Sequence, residues 1–154
     1  MSNLVGQLLG NYLLVRQLGE GGFAAVYLGE HVYLGSYAAV KVLSVPLAQE
    51  AVTDFVAEAR TLVGLTHLHI IRLLDYGVER STPFLVMDYT PGGTLRQRHP
   101  WGERLPLAAV ASYVQQVAGA LQFARDQRLV HLSTPTILVG IACLPGNRRC
   151  MPQW

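Results

Sequence analysis

Charged side chains are scarce in this chain: Asp, Glu, Lys and Arg make up 14% of its 154 residues, against roughly 25% in ordinary soluble domains. The formal net charge is only +2. A balance so slight and scattered gives no basis for a nucleic-acid surface, and Arg96, Arg98 and Arg104 read as a solvated loop. Cysteine is nearly absent. Cys143 and Cys150 lie in the last stretch with no histidine beside them, a pattern that suits neither a zinc pair nor a redox pair, so they read as free thiols in a disordered tail. No run of about eighteen apolar residues occurs, which removes a helical membrane span. The N-terminus lacks a basic segment leading into an apolar one, so no secretory signal is indicated and a cytoplasmic location is expected. Internal repeats and low-complexity tracts are missing too. His67 and His69 form an HxH without a third ligand in view, so no metal site is assigned to them.

What is present is 51% hydrophobic and punctuated by glycine and proline at Gly19 to Gly22, Pro91 to Gly93, Pro100 to Pro106 and Pro145 onward. Between the apolar runs Tyr12 to Leu18 and Val26 to Gly29 stands Gly19-Glu20-Gly21-Gly22. Glycine there lets backbone N–H groups approach an anion with no Cβ in the way. The same residues also read as an ordinary β-hairpin turn. Lys41 interrupts the apolar strand Ala38-Ala39-Val40-Lys41-Val42-Leu43, and such an ammonium needs either an anionic partner or a route to water.

Pro46 to Leu65 carries Leu47, Ala51, Phe55, Ala59 and Leu62 at helical spacing, with Val52, Val56 and Val63 beside them and Gly64 as a stop. Glu58 falls on that helix, where by itself it reads as a solvated carboxylate able to pair with Arg60. Pro83 to Asp88 is an apolar strand, and Tyr89-Thr90-Pro91-Gly92-Gly93 is a turn. Leu107 to Gln127 is a second helix with Pro106 at its start. Its periodicity predicts one buried stripe of Val110, Val114, Val117, Leu121 and Ala124.

In this order, glycine hairpin, strand lysine, helix glutamate, apolar strand with turn, long helix and then His131, the chain resembles the N-terminal half of a eukaryotic-type serine/threonine protein kinase of the kind found in bacteria. The resemblance covers residues 10 to 141. It implies a GxGxxGxV loop filled by Gly19, Gly21, Ala24 and Val26, with alanine in place of the third glycine. It further implies that Lys41 reaches the ATP phosphates and is held by Glu58, and that Leu18, Val26, Ala39 and Leu138 line the adenine with Met87 at its back. The Asp88 C=O and Thr90 N–H would pair with the adenine edge, and Thr94 would contact the ribose. Leu65 to Leu74 resembles the family's helix-to-strand connection.

The implied fold is α+β: a five-stranded antiparallel sheet with one helix over residues 1 to 88, a hinge at 89 to 94, an incomplete helical lobe at 95 to 141 and an aberrant, disordered tail at 142 to 154. The catalytic loop departs from the pattern. His131 is followed by Leu132-Ser133-Thr134-Pro135, and Ser133 cannot take a proton at neutral pH as the family's aspartate does. The asparagine and Asp-Phe-Gly metal contacts have no counterpart. ATP is therefore the expected ligand, with magnesium implied by the family but lacking its protein ligands, and no catalytic residue intact beyond the remnant His131.

The expected parent reaction is phosphoryl transfer to protein Ser or Thr, with this polypeptide deficient in it. A noncatalytic binding module and a fragment of a frameshifted kinase gene both account for the tail. Self-association through an exposed face of the Leu107 to Gln127 helix is a further expectation.

Overall fold

A computed structural model describes residues 4–21, 24–43, 49–93 and 95–127. In chain order the elements are β1 (Leu8–Leu9), β2 (Tyr12–Glu20), β3 (Ala24–His31), β4 (Tyr37–Leu43), α1 (Gln49–Val63), β5 (Leu73–Glu79), β6 (Thr82–Asp88), α2 (Leu95–Arg98) and α3 (Leu107–Asp126). They group into two compact units, Met1–Leu65 with Arg72–Tyr89, and Thr66–Ile71 with Thr90–Trp154.

The first unit is the sheet with α1. Its strands run in the order β1-β2-β3-β4-β6-β5, each antiparallel to its neighbours. Five of them are the long strands expected. The sixth, β1, is two residues long and pairs through Leu8 with Leu13 and Leu9 with Tyr12. Alternation in β4 is clean, with Ala38, Val40 and Val42 buried and Ala39, Lys41 and Leu43 only half-buried, the two-residue period of a strand that presents different faces to different surroundings. Ala38, Val40 and Val42 join Leu9, Tyr12, Leu14, Ala25, Tyr27, Phe84 and Val86 in one hydrophobic cluster.

Two glycines are required by close packing in that core. A Cβ on Gly29 would come 2.6 Å from Val40 Cγ2, and one on Gly77 would come 2.6 Å from Phe84 Cζ. β5 and β6 are joined by Arg80 and Ser81, both at positive φ, 48° and 64°, as a two-residue turn matched to strand twist demands. Glu79 accepts the Gly10 N–H at 3.1 Å, pinning the β1–β2 turn to this hairpin. α1 packs on β5 and β6, with Ala59 and Leu62 buried on the face the periodicity predicts. Its Arg60 donates to the Tyr76 hydroxyl on β5 at 3.1 Å.

In the second unit, residues 95–98, expected as part of a loop, form the four-residue helix α2. The expected stripe on α3 is corrected. Tyr113, Gln116, Ala120 and Ala124 are the buried residues, while Val110, Val114 and Leu121 are exposed together with Leu107. Ala124 is buried as expected and Val117 is half-buried, while Tyr113, Gln116 and Ala120 each stand one residue before the expected Val114, Val117 and Leu121, a turn of about 100° around the helix. Polar anchoring explains the rotation. His99 lies 3.0 Å from the Tyr113 hydroxyl through Nε2 and 3.1 Å from Glu103 through Nδ1, so Tyr113 is turned inward despite its hydroxyl. Thr66–Ile71 belongs to this unit because the His67 ring stacks on Phe123 of α3, with centroids 4.9 Å apart and planes 28° apart.

Candidate functional site

Register decides which side chains share a face of the sheet. Across antiparallel strands, directly paired residues point the same way. Lys41 pairs with Val26 on β3 and Leu85 on β6, Ala39 pairs with Leu28 and Met87, and Val26 pairs with Gly19 on β2. Gly19, Val26, Ala39, Lys41 and Met87 thus lie on one face, and Ala24, opposite Leu43, joins them. The core residues Ala38, Val40 and Val42 occupy the other face. Leu18, also half-buried, lies at the β2 irregularity between Gln17 and Gly19.

The glycine turn closes with the Gly21 N–H donating to the Ala24 C=O at 2.8 Å. Gly19 differs from the packed glycines of the core: a Cβ there would meet nothing within 4 Å, and at Gly21 only the Ala24 oxygen at 3.8 Å. Neither has a positive φ. The fold itself therefore does not demand glycine at these two positions, and the space beside them leaves the backbone open to close approach.

Lys41 is the only lysine of the chain, a signal that composition offers and that pattern reading overlooks. The other strongly basic side chains are arginines, whose planar fork binds carboxylate or phosphate bidentately, whereas a compact ammonium makes a point contact. Half-buried, its ammonium is pushed by desolvation below the ordinary 10.5. Glu58 lies on α1 between the described Ala57 and Ala59; its side chain is outside the described residues. Thr94, His131, Leu138 and the tail at 142–154 are outside them as well.

At the end of β6, Asp88 is fixed to Arg72 by three hydrogen bonds. Its N–H donates to the Arg72 C=O at 3.1 Å, and its carboxylate accepts from Arg72 Nε at 2.8 Å and Nη2 at 3.1 Å. This bonding to Asp88 holds the guanidinium proton more firmly than in an ordinary arginine. Tyr89 accepts from Arg16 of β2 at 3.4 Å. In the second unit, the Thr90 C=O accepts from the Gly93 N–H at 3.3 Å, with Gly93 at φ +69°. The backbone groups spent here, Asp88 N–H and Thr90 C=O, are the counterparts of the two that the resemblance reserves for adenine. The Arg72–Asp88 pair is a feature that sequence reading misses.

Comparison with known proteins gives concordant findings. The family profile described as protein tyrosine and serine/threonine kinase matches residues 13–141. The serine/threonine-protein kinase Pkn1 of Myxococcus xanthus is 43% identical over 131 residues, 83% of this chain and 18% of that protein. PrkC of Bacillus subtilis, a serine/threonine-protein kinase, is 30% identical, covering 83% of this chain and 20% of its own length. Among solved structures, the Mycobacterium tuberculosis PknI kinase domain superposes with a TM-score of 0.70 at 30% identity, over 82% of this chain and 52% of that domain. The chain thus spans about a fifth of these curated relatives' length.

Proposed function

The chain belongs to the protein tyrosine and serine/threonine kinase family, and we propose that its sheet unit binds ATP, the phosphates lying against the Gly19–Ala24 turn and Lys41 and the adenine against Val26, Ala39 and Met87. The observation that carries this reading is the shared face. A glycine turn with space beside it, the chain's single lysine and a set of apolar side chains are presented together, which is the combination a polyanion attached to a flat apolar base requires. Leu18 would add to the apolar set, and the Asp88 C=O would receive the adenine amino group.

The parent reaction of the family is phosphoryl transfer to a protein hydroxyl. In this polypeptide Leu132 and Ser133 follow His131 where that chemistry uses a carboxylate base, so the reading is of nucleotide binding with transfer lost. Magnesium, which the family implies, would arrive with the nucleotide. Among the described residues, no helix is long and apolar enough to cross a membrane.

The test is thermal stability of the 154-residue chain with and without Mg-ATP. Ligand present at about 100 times its dissociation constant adds roughly 2.7 kcal/mol, which raises the melting temperature of the wild type. Lys41→Ala is expected to abolish most of the rise while leaving the unliganded melting temperature unchanged or higher, because it removes a desolvated charge. A wild type indifferent to millimolar Mg-ATP would overturn the reading.

A further inference from the structure

We propose that Arg72 is a positioning residue that sets base preference at this site, by fixing the end of β6 so that the Asp88 carbonyl meets an exocyclic amine. The inference rests on the ATP reading above. The last paired residues of the β5–β6 ladder are Leu73 and Met87, so Asp88 lies one residue beyond it. On its other side Asp88 still pairs with Ala38 of β4. Past the ladder's end, Asp88 is tied on the β5 side by the three bonds to Arg72, one through backbone and two through a bidentate fork. Two parallel N–H···O bonds fix orientation as well as distance, which a single point charge does not.

The pair is not there for bulk stability. The Arg72 and Asp88 side chains are 56% and 36% exposed, and an exposed ion pair contributes little to folding. A side-chain contact that matters little to the fold yet adds two bonds to the backbone bond at a strand end constrains where that residue's carbonyl points. A carbonyl oxygen is an acceptor. Adenine offers an amino donor at its six position, whereas guanine offers an oxygen acceptor, so a rigidly aimed carbonyl favours adenine, and a loosened one discriminates less because misaligned acceptors can move aside.

The experiment measures affinity of the 154-residue chain for Mg-ATP and Mg-GTP, by displacement of a fluorescent nucleotide, in wild type, Arg72→Gln, Arg72→Lys and the charge swap Arg72→Asp with Asp88→Arg. Arg72→Gln is expected to lower ATP affinity by about two- to fivefold, the range open to an exposed pair, with a smaller loss for GTP, so that the ATP-to-GTP ratio contracts. Melting temperature should barely move. Arg72→Lys, which keeps the charge and loses the fork, should contract the ratio part-way, and the swap should restore it. An unchanged ratio in both Arg72→Gln and Arg72→Lys, with ATP still bound by wild type, overturns the positioning role alone. A wild type that binds neither nucleotide overturns the ATP reading and this inference with it.

Discussion

At the scale of single residues, Lys41 carries the sharpest consequence. Burial pushes its pKa below 10.5, so the unfolded chain binds that proton more tightly than the folded one. The cost to stability is fully present below the folded-state pKa and is relieved as pH rises through it. Bound phosphate reverses the sign, because it favours the ammonium. ATP affinity is therefore expected to be full near neutral pH and to fall as pH climbs through the lowered pKa of the free protein. Titrating the dissociation constant from about pH 7 to about pH 10 checks this, and a flat profile would show that Lys41 does not face the phosphates. Lys41 is legible in the sequence because an ammonium breaks an apolar strand. Gly19 is legible by motif, but only the space around it separates it from Gly29, whose absent Cβ makes room for Val40. Arg72 and Asp88 are not legible as a pair, since 16 residues separate them and nothing local in either segment announces the other.

At the scale of elements, the β5–β6 hairpin stores strain that the sequence could have avoided. Its two central residues, Arg80 and Ser81, adopt positive φ with side chains that disfavour it, at a cost of about 1 to 2 kcal/mol for each such residue. Ser81→Gly removes one such penalty and adds the larger backbone entropy of glycine, about 0.5 to 1 kcal/mol. The net gain expected is about 0.5 kcal/mol or slightly more, seen as a higher urea midpoint at unchanged slope. A lower midpoint would mean that the Ser81 side chain contributes a contact worth more than the strain.

Long elements with a clear period read well from sequence. β4 alternates, α1 buries Ala59 and Leu62 as its spacing requires, and β2 and β3 flank the glycines. β1 escapes such a reading because two residues cannot show a period. α3 reads as a helix with Ala124 inward as expected, but Val110, Val114 and Leu121 give way to Tyr113 and Ala120, and hydrophobicity alone does not know that His99 and Glu103 anchor the tyrosine.

At the scale of the whole molecule, recognition of a nucleotide and chemistry upon it fall on different parts of the chain. The residues that would grip ATP come from the sheet, whose strands pair with their sequence neighbours except where β4 meets β6, and which buries one continuous cluster. The residues that would move a proton and balance developing charge come after His131, where Leu132 and Ser133 replace the pattern. A positioned general base contributes roughly 10² to 10⁴ in rate, and charge neutralisation at the transferred phosphoryl is the other principal contribution. On the proposed reading, the lack of a carboxylate at Ser133 leaves ATP bound without a positioned base. Incubated with Mg-ATP labelled in the γ-phosphoryl and a Ser- and Thr-rich acceptor protein, the 154-residue polypeptide is expected to transfer label no faster than its Lys41→Ala variant, while still showing the nucleotide-dependent rise in melting temperature. Transfer above that background, abolished by Lys41→Ala, would show that another group supplies the base, and it would turn the binding unit into a working enzyme.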